Sequence, residues 1–306
     1  IMRKTFSEEL IRLAENDPRV LLLTGDHGYS LFDNFRKKHP RQYINAGIAE
    51  QNMVGVAAGL ARTGFKPFVY GLSSFIPIRV IEQIKIDVAY DNLPVVFIGD
   101  GAGFVYSHLG ASHQSTEDIS CIRSIPEISI YSPSDRFEVI SCMRRAYEIK
   151  SPVYLRIGKS DRGDVHKDVP ELDCGLINVM HGKSNDYALI ATGSMVRTAI
   201  DIASNDYPIN MSVWSAPIIK PISYKHVISI CNKSKAIIVL EEHSKYGGLG
   251  SVIAEIASQY SPIRILRVAV DDKFSNKCGT YDYLLKEHLL DYQSVRNSIQ
   301  KFISRI

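Results

Sequence analysis

Short β-branched runs alternate with helically spaced apolar residues along almost the whole chain, and this rhythm narrows the possible folds more than any other feature. Val20–Thr24, Lys66–Tyr70, Leu93–Ile98, Ser129–Tyr131 and Val153–Ile157 read as buried strands. Between them stand helical patterns: Thr5–Asn16, the segment after Glu50, Ile76–Tyr90 with Ile81, Ile84 and Val88 on one face, and Phe137–Ile149. Such alternation predicts a parallel sheet covered by helices on both faces. Residues 158–186 are charged and glycine-containing, and they break the rhythm. It restarts with Tyr187–Ala191, the helix Met195–Ser204, Met211–Trp214, Ala236–Glu241, the helix Leu249–Gln259 and Ile263–Val268, and the stretch Asp282–Arg305 reads as helical. The expected fold class is α/β, with two doubly wound domains over 1–160 and 186–306 and a linker over 161–185.

A chain of 306 residues, 45% hydrophobic and 23% charged, is long enough for two such cores. Its formal net charge of +3 gives no reason to expect nucleic acid or an anionic membrane surface as partner. No apolar run is long enough to span a bilayer, and IMRKTFSEEL lacks the apolar core of a signal peptide. The five cysteines (Cys121, Cys142, Cys174, Cys231, Cys278) are dispersed, odd in number and free of any CxxC pair. They suggest neither a zinc site nor a disulfide framework, so a cytoplasmic protein is expected.

Glu50 lies within INAGIAEQNMVGVAAGL, residues 44–60, between two Gly- and Ala-rich apolar stretches. A carboxylate at the start of such a buried helix is costly to desolvate unless the helix N-terminus or a cation holds it. The residues alone leave a helix cap and a cation partner both open. Further on, YGLSSF ends on Phe75, and GASHQSTED carries His113 within G-x-x-H-Q. SPVYLRIGK places Arg156 at a strand end, while Gly247, Gly248 and Gly250 open a helix in KYGGLGSVIAE. Glycines there serve a tight turn or an anion site, and the tight turn is the commoner use.

In this order and spacing, GIAEQ, SSF, G-x-x-H-Q and the strand-end arginine resemble the C-terminal section of the transketolase family. That section is a thiamine-diphosphate (ThDP) enzyme's pyrimidine-binding domain followed by the transketolase C-terminal domain. The likeness covers nearly the whole chain and is nearest to the split transketolase-like proteins of surface-polysaccharide or sugar-modification pathways. It implies that Glu50 is catalytic and hydrogen-bonds a ring nitrogen of the aminopyrimidine. It implies that Phe75 stacks on that ring, and that Ile48 and Ile78 complete the cofactor contact. His113 matches the catalytic histidine. His27, His108, Leu109 and Arg156 fall to the substrate, Arg156 through a sugar phosphate.

The family's GDG, followed by an asparagine, holds the cofactor's diphosphate through Mg²⁺. Gly99-Asp100-Gly101 is present here, but no asparagine lies between Pro126 and Tyr131, and this GDG follows Glu50 inside the same domain. It reads as a turn, and no metal ligand is expected on this chain. The resemblance therefore implies an N-terminal transketolase-like partner subunit that carries GDG…N and binds Mg²⁺, in an α2β2 heterotetramer acting on small-molecule sugars. Leu109 replaces the aspartate that reads an acceptor hydroxyl, and Gly101 falls where a sugar-phosphate-binding histidine usually stands. Both departures argue against a standard pentose-phosphate role. Transfer of a two-carbon ketol unit in specialised carbohydrate biosynthesis is the expected activity. The rivals are a 2-oxo acid dehydrogenase β subunit and a non-catalytic subunit that keeps the fold.

Overall fold

The computed structural model describes residues 1–158, 162–173, 175–182, 186–205 and 211–306. The first half runs α1 (Met2–Asn16), β1 (Val20–Thr24), α2 (Asp33–Lys38), β2 (Tyr43–Asn45), α3 (Glu50–Arg62), β3 (Lys66–Leu72), α4 (Ile81–Gln83), β4 (Val96–Asp100), α5 (Asp118–Arg123), β5 (Ser129–Tyr131), α6 (Arg136–Glu148) and β6 (Val153–Ile157). The second runs β7 (Ile177–Met180), β8 (Tyr187–Ala191), α7 (Met195–Ser204), β9 (Met211–Ser215), β10 (Ile218–Lys220), α8 (Tyr224–Lys233), β11 (Ala236–Ser244), α9 (Leu249–Tyr260), β12 (Arg264–Val270), α10 (Tyr281–Glu287) and α11 (Tyr292–Ile303).

Among the described residues, seven strands form one sheet in the order β10-β5-β6-β4-β3-β1-β2, and five form another, β12-β11-β8-β9-β7. Both are parallel except at one edge each, where β10 runs antiparallel to β5 and β7 to β9. Period-two alternation along the strands builds the cores. Leu21, Leu23 and Phe97 pack with Met53, Val54 and Ala57 of α3 on one face. Leu22, Val96 and Ile98 pack with Phe6 and Leu10 of α1 and Val139 and Met143 of α6 on the other. The second sheet repeats the scheme. Leu189, Ala191 and Leu240 meet α7 and α11, while Ile190, Ile237 and Val239 meet α8 and α9.

Several expectations change. The helix expected over Ile76–Tyr90 starts beyond Pro77, as a 3₁₀ turn at Ile78–Val80 and the short α4, and continues as a π-helix over Ile84–Ala89. The helix expected over Asp282–Arg305 is two. Leu289 takes the left-handed conformation (φ 58°), and Asp291 then caps α11 through the amides of Gln293 and Ser294. Secondary structure also continues into the expected linker, since β7 there joins the second sheet. Cys174 lies outside the described residues; Cys121, Cys142, Cys231 and Cys278 are free thiols. Among the described residues no helix is long and apolar enough to cross a membrane.

Candidate active site

The carboxyl ends of β1, β3 and β4 and the loops that follow them carry most of the expected residues, as is usual for ligand sites on parallel sheets. Glu50 is the first residue of α3 and is 5% exposed. Ala49 caps that helix without a side-chain bond, so Glu50 is free for a partner elsewhere. The partner is Arg79, whose Nη1 lies 3.0 Å from Glu50 Oε2. The same guanidinium lies over the ring of Phe75, 4.0 Å from its centroid. Phe75 in turn meets His113 edge-to-face, with ring centroids 5.4 Å apart and planes at 64°. Glu50, Arg79, Phe75 and His113 thus form one continuous cluster, although they come from three separate segments of the chain.

Backbone geometry explains why Phe75 and His113 meet. Phe75 sits in the turn after β3, where its amide bonds Leu72 O. His113 sits in a turn closed by its own amide and that of Gln114, both donating to Gly110 O. The second domain braces this loop: Ser275 Oγ donates to Gln114 Oε1 at 2.7 Å, and the Gly279 amide reaches Ser107 O. His108 and Leu109 occupy the 3₁₀ turn Ser107–Leu109 and are exposed, Leu109 by 52%. Ile48 is 80% exposed just before Glu50, and Ile78 is half-buried beside Arg79. His27, after β1, bonds Gly25 O through Nδ1 and packs its ring 5.5 Å from that of Tyr70.

Arg156 is elsewhere. Its side chain is buried, its Nε lies 2.8 Å from Asp118 Oδ2, and its Nη2 donates to Glu242 O and Ser115 O. Burial acts against its charge, but Asp118 and Tyr154 outweigh it and raise the guanidinium's pKa. Every one of these partners is internal, which gives the Arg156 side chain a structural role in this fold. It ties the loop of His113 to the second domain.

The glycines opening α9 also serve the protein itself. Glu241 accepts the amides of Leu249 and Gly250 at 2.7 and 2.8 Å, so the helix N-terminus already holds a carboxylate. Burial pushes that carboxyl up to about 7, against the two amides. A Cβ on Gly248 would collide with Glu241 Oε2. Asp100 of the GDG stretch ends β4 and is 1% exposed. Its Oδ2 takes hydroxyl hydrogens from Tyr70 and Tyr106 at 2.8 and 2.6 Å and pairs with Arg3 Nε at 3.2 Å. Gly101 has φ 84°, and a Cβ there would strike the Tyr106 ring, so the stretch is the end of β4 and the bend after it, packed against protein. Sequence reasoning missed Arg3 and the bridging role of Arg79. No local pattern signals that the Arg79 guanidinium stacks on Phe75.

With this geometry, the comparisons identify the chain. It matches the family model of the transketolase pyrimidine-binding domain over residues 1–163 and that of the transketolase C-terminal domain over 177–295. The chain belongs to the transketolase family and is a transketolase-like subunit, a transferase component of the split form. It is 31% identical to one of the subunits of the apulose-4-phosphate transketolase of Phocaeicola vulgatus, covering 99% of this chain and 97% of that protein. It is 30% identical to the 6-deoxy-6-sulfo-D-fructose transketolase subunit of a Clostridium species, covering 99% and 95%. Among solved structures it resembles a split-gene transketolase described as an inactive β4 tetramer, with a TM-score of 0.88, 30% identity and coverage of 98% and 97%.

Membership of this family implies ThDP as cofactor, and the cluster fits its aminopyrimidine. Arg79 shows that the face of Phe75 and the carboxylate of Glu50 together accept a flat cation, the shape and charge of a protonated heteroaromatic ring.

Proposed function

We propose that this chain is the C-terminal subunit of a ThDP- and Mg²⁺-dependent transketolase-like enzyme that moves a two-carbon ketol unit between sugars or sugar derivatives, and that it works only with an N-terminal partner. The observation that carries this is the single cluster of Glu50, Arg79, Phe75 and His113. Bound ThDP supplies the electron sink of ketol transfer. Glu50 holds a proton at a ring nitrogen of the aminopyrimidine, Phe75 presents its face to that ring, and Ile48 and Ile78 give it apolar edges. Arg79 yields the Phe75 face to the ring. His113 moves a proton at a substrate oxygen, and His27, His108 and Leu109 line the substrate's path. The partner subunit carries GDG…N and holds the diphosphate and Mg²⁺, as a cytoplasmic α2β2 assembly. The inactive β4 tetramer of the split-gene relative supports this need for a partner. The role belongs to specialised carbohydrate metabolism.

Leu109 sets the expected substrate choice. A substrate hydroxyl facing this apolar side chain loses water without gaining an acceptor, which costs about 1–3 kcal/mol, or about ten- to a hundredfold in rate. The assembled enzyme is therefore expected to prefer an acceptor other than the common hydroxy-aldehyde phosphates. An acceptor panel scored by kcat/KM with the partner present tests both points. No ketol transfer to any acceptor would refute the function. Ribose 5-phosphate or glyceraldehyde 3-phosphate as best acceptor would refute the argument from Leu109 alone.

A further inference from the structure

The loop that carries His113 is closed at its base by Gly103 and Ser115, whose backbones exchange hydrogen bonds of 2.8 and 2.9 Å. Beyond that base the second domain holds it. The Phe104 amide donates to Glu242 Oε1 at 2.6 Å, and the Phe104 ring stacks on His288, with centroids 4.7 Å apart and planes at 21°. Ser275 links that stack to the turn of His113. Its Oγ lies 2.7 Å from Gln114 Oε1 and 2.9 Å from His288 Nε2.

The direction of these bonds follows from the groups. An amide oxygen only accepts, so the serine hydrogen goes to Gln114. Ser275 Oγ then accepts from His288, which carries its hydrogen on Nε2. Burial, with Lys273 adding to it, holds the His288 pKa below its ordinary value and keeps that ring neutral. His288, Ser275 and Gln114 thus form a chain of hydrogen bonds that ends one residue from His113. Gln114 is 5% exposed, whereas its neighbour His113 is half-buried and reaches Phe75 of the first domain. The amides of both residues donate to the same Gly110 O, so a shift of Gln114 carries the His113 ring with it. A misplacement of about 1 Å costs up to about a hundredfold in rate.

We propose that Ser275, held by His288, is a positioning residue for His113 and acts on it through Gln114. The proposal rests on the ketol-transfer function above and gives the second domain a part in it. The test is a double-mutant cycle of Ser275→Ala and His113→Gln in the enzyme reconstituted with its partner, read as kcat for ketol transfer. Ser275→Ala, a small change that spares folding, is expected to lower kcat about five- to fiftyfold while exchange of the cofactor's C2 hydrogen, which depends on Glu50, stays unchanged. Added to His113→Gln, it is expected to cost less than about twofold more, because the group it positions is already gone. A fully additive loss in the double variant, equal losses in transfer and exchange, or no loss at all would overturn the proposal. If wild type does not transfer, the function fails, and NMR of the histidine rings in the full chain decides the positioning. Ser275→Ala should displace the His113 signals, identified by their absence from His113→Gln, and unmoved signals would overturn it.

Discussion

Glu50→Gln is expected to reduce ketol transfer by about a hundred- to ten-thousandfold, the usual range for a lost general acid or base, with the fold intact. The amide keeps the shape of the side chain but cannot hold a proton at the cofactor's ring nitrogen. Arg79, the partner left behind, is 44% exposed, so water takes over its charge and stability changes little. The reconstituted complex should still bind ThDP through its partner half. The defect should therefore appear in exchange of the cofactor's C2 hydrogen. Near wild-type exchange in Glu50→Gln would remove Glu50 from the mechanism, and a loss of folding would mean that its pairing with Arg79 is structural.

Arg156→Met is expected to cost about 3–5 kcal/mol of stability, because it strands a buried carboxylate. Asp118 and Arg156 are both almost wholly buried, and Tyr154 donates to the same Asp118 oxygen at 2.7 Å. His243, on the far side of Asp118, gives no replacement charge: burial brings its pKa down to about 4. Denaturant unfolding of the variant measures the loss. Activity should fall with it for all sugars alike, since Arg156 anchors the loop that carries His113 through Ser115 O. A loss below about 1 kcal/mol, combined with a raised KM for phosphorylated sugars only, would return Arg156 to the substrate.

The contrast between Glu50 and Arg156 shows where the sequence speaks and where it stops. The strands were legible because β1, β4 and β6 are mostly apolar and buried on both faces, a pattern local to each run. The three-residue β10 was not, because what makes it a strand is Tyr131 and Ile130 of β5, about ninety positions earlier. Glu50, Phe75 and His113 stand in local motifs, and the fold gathers them around Arg79 and the Phe75 ring. The internal partners of Arg156 were not legible, because a strand-end arginine reads the same whether it faces solvent or a carboxylate 38 residues away. Asp100 read as a turn residue, and its tyrosine and arginine partners come from β3, a following loop and α1, which no local pattern joins.

The central claim is that this chain holds one half of a cofactor site and needs another polypeptide for the rest. Calorimetric titration of ThDP with Mg²⁺, into the chain alone and into its mixture with a GDG…N-bearing transketolase-like subunit, tests it most directly. In the proposed assembly the cluster at Glu50 and Phe75 meets the aminopyrimidine, and the diphosphate finds its metal on the other subunit. The account predicts no tight binding by the chain alone and saturable, Mg²⁺-dependent binding by the mixture. Tight, Mg²⁺-dependent binding by the chain alone would contradict it.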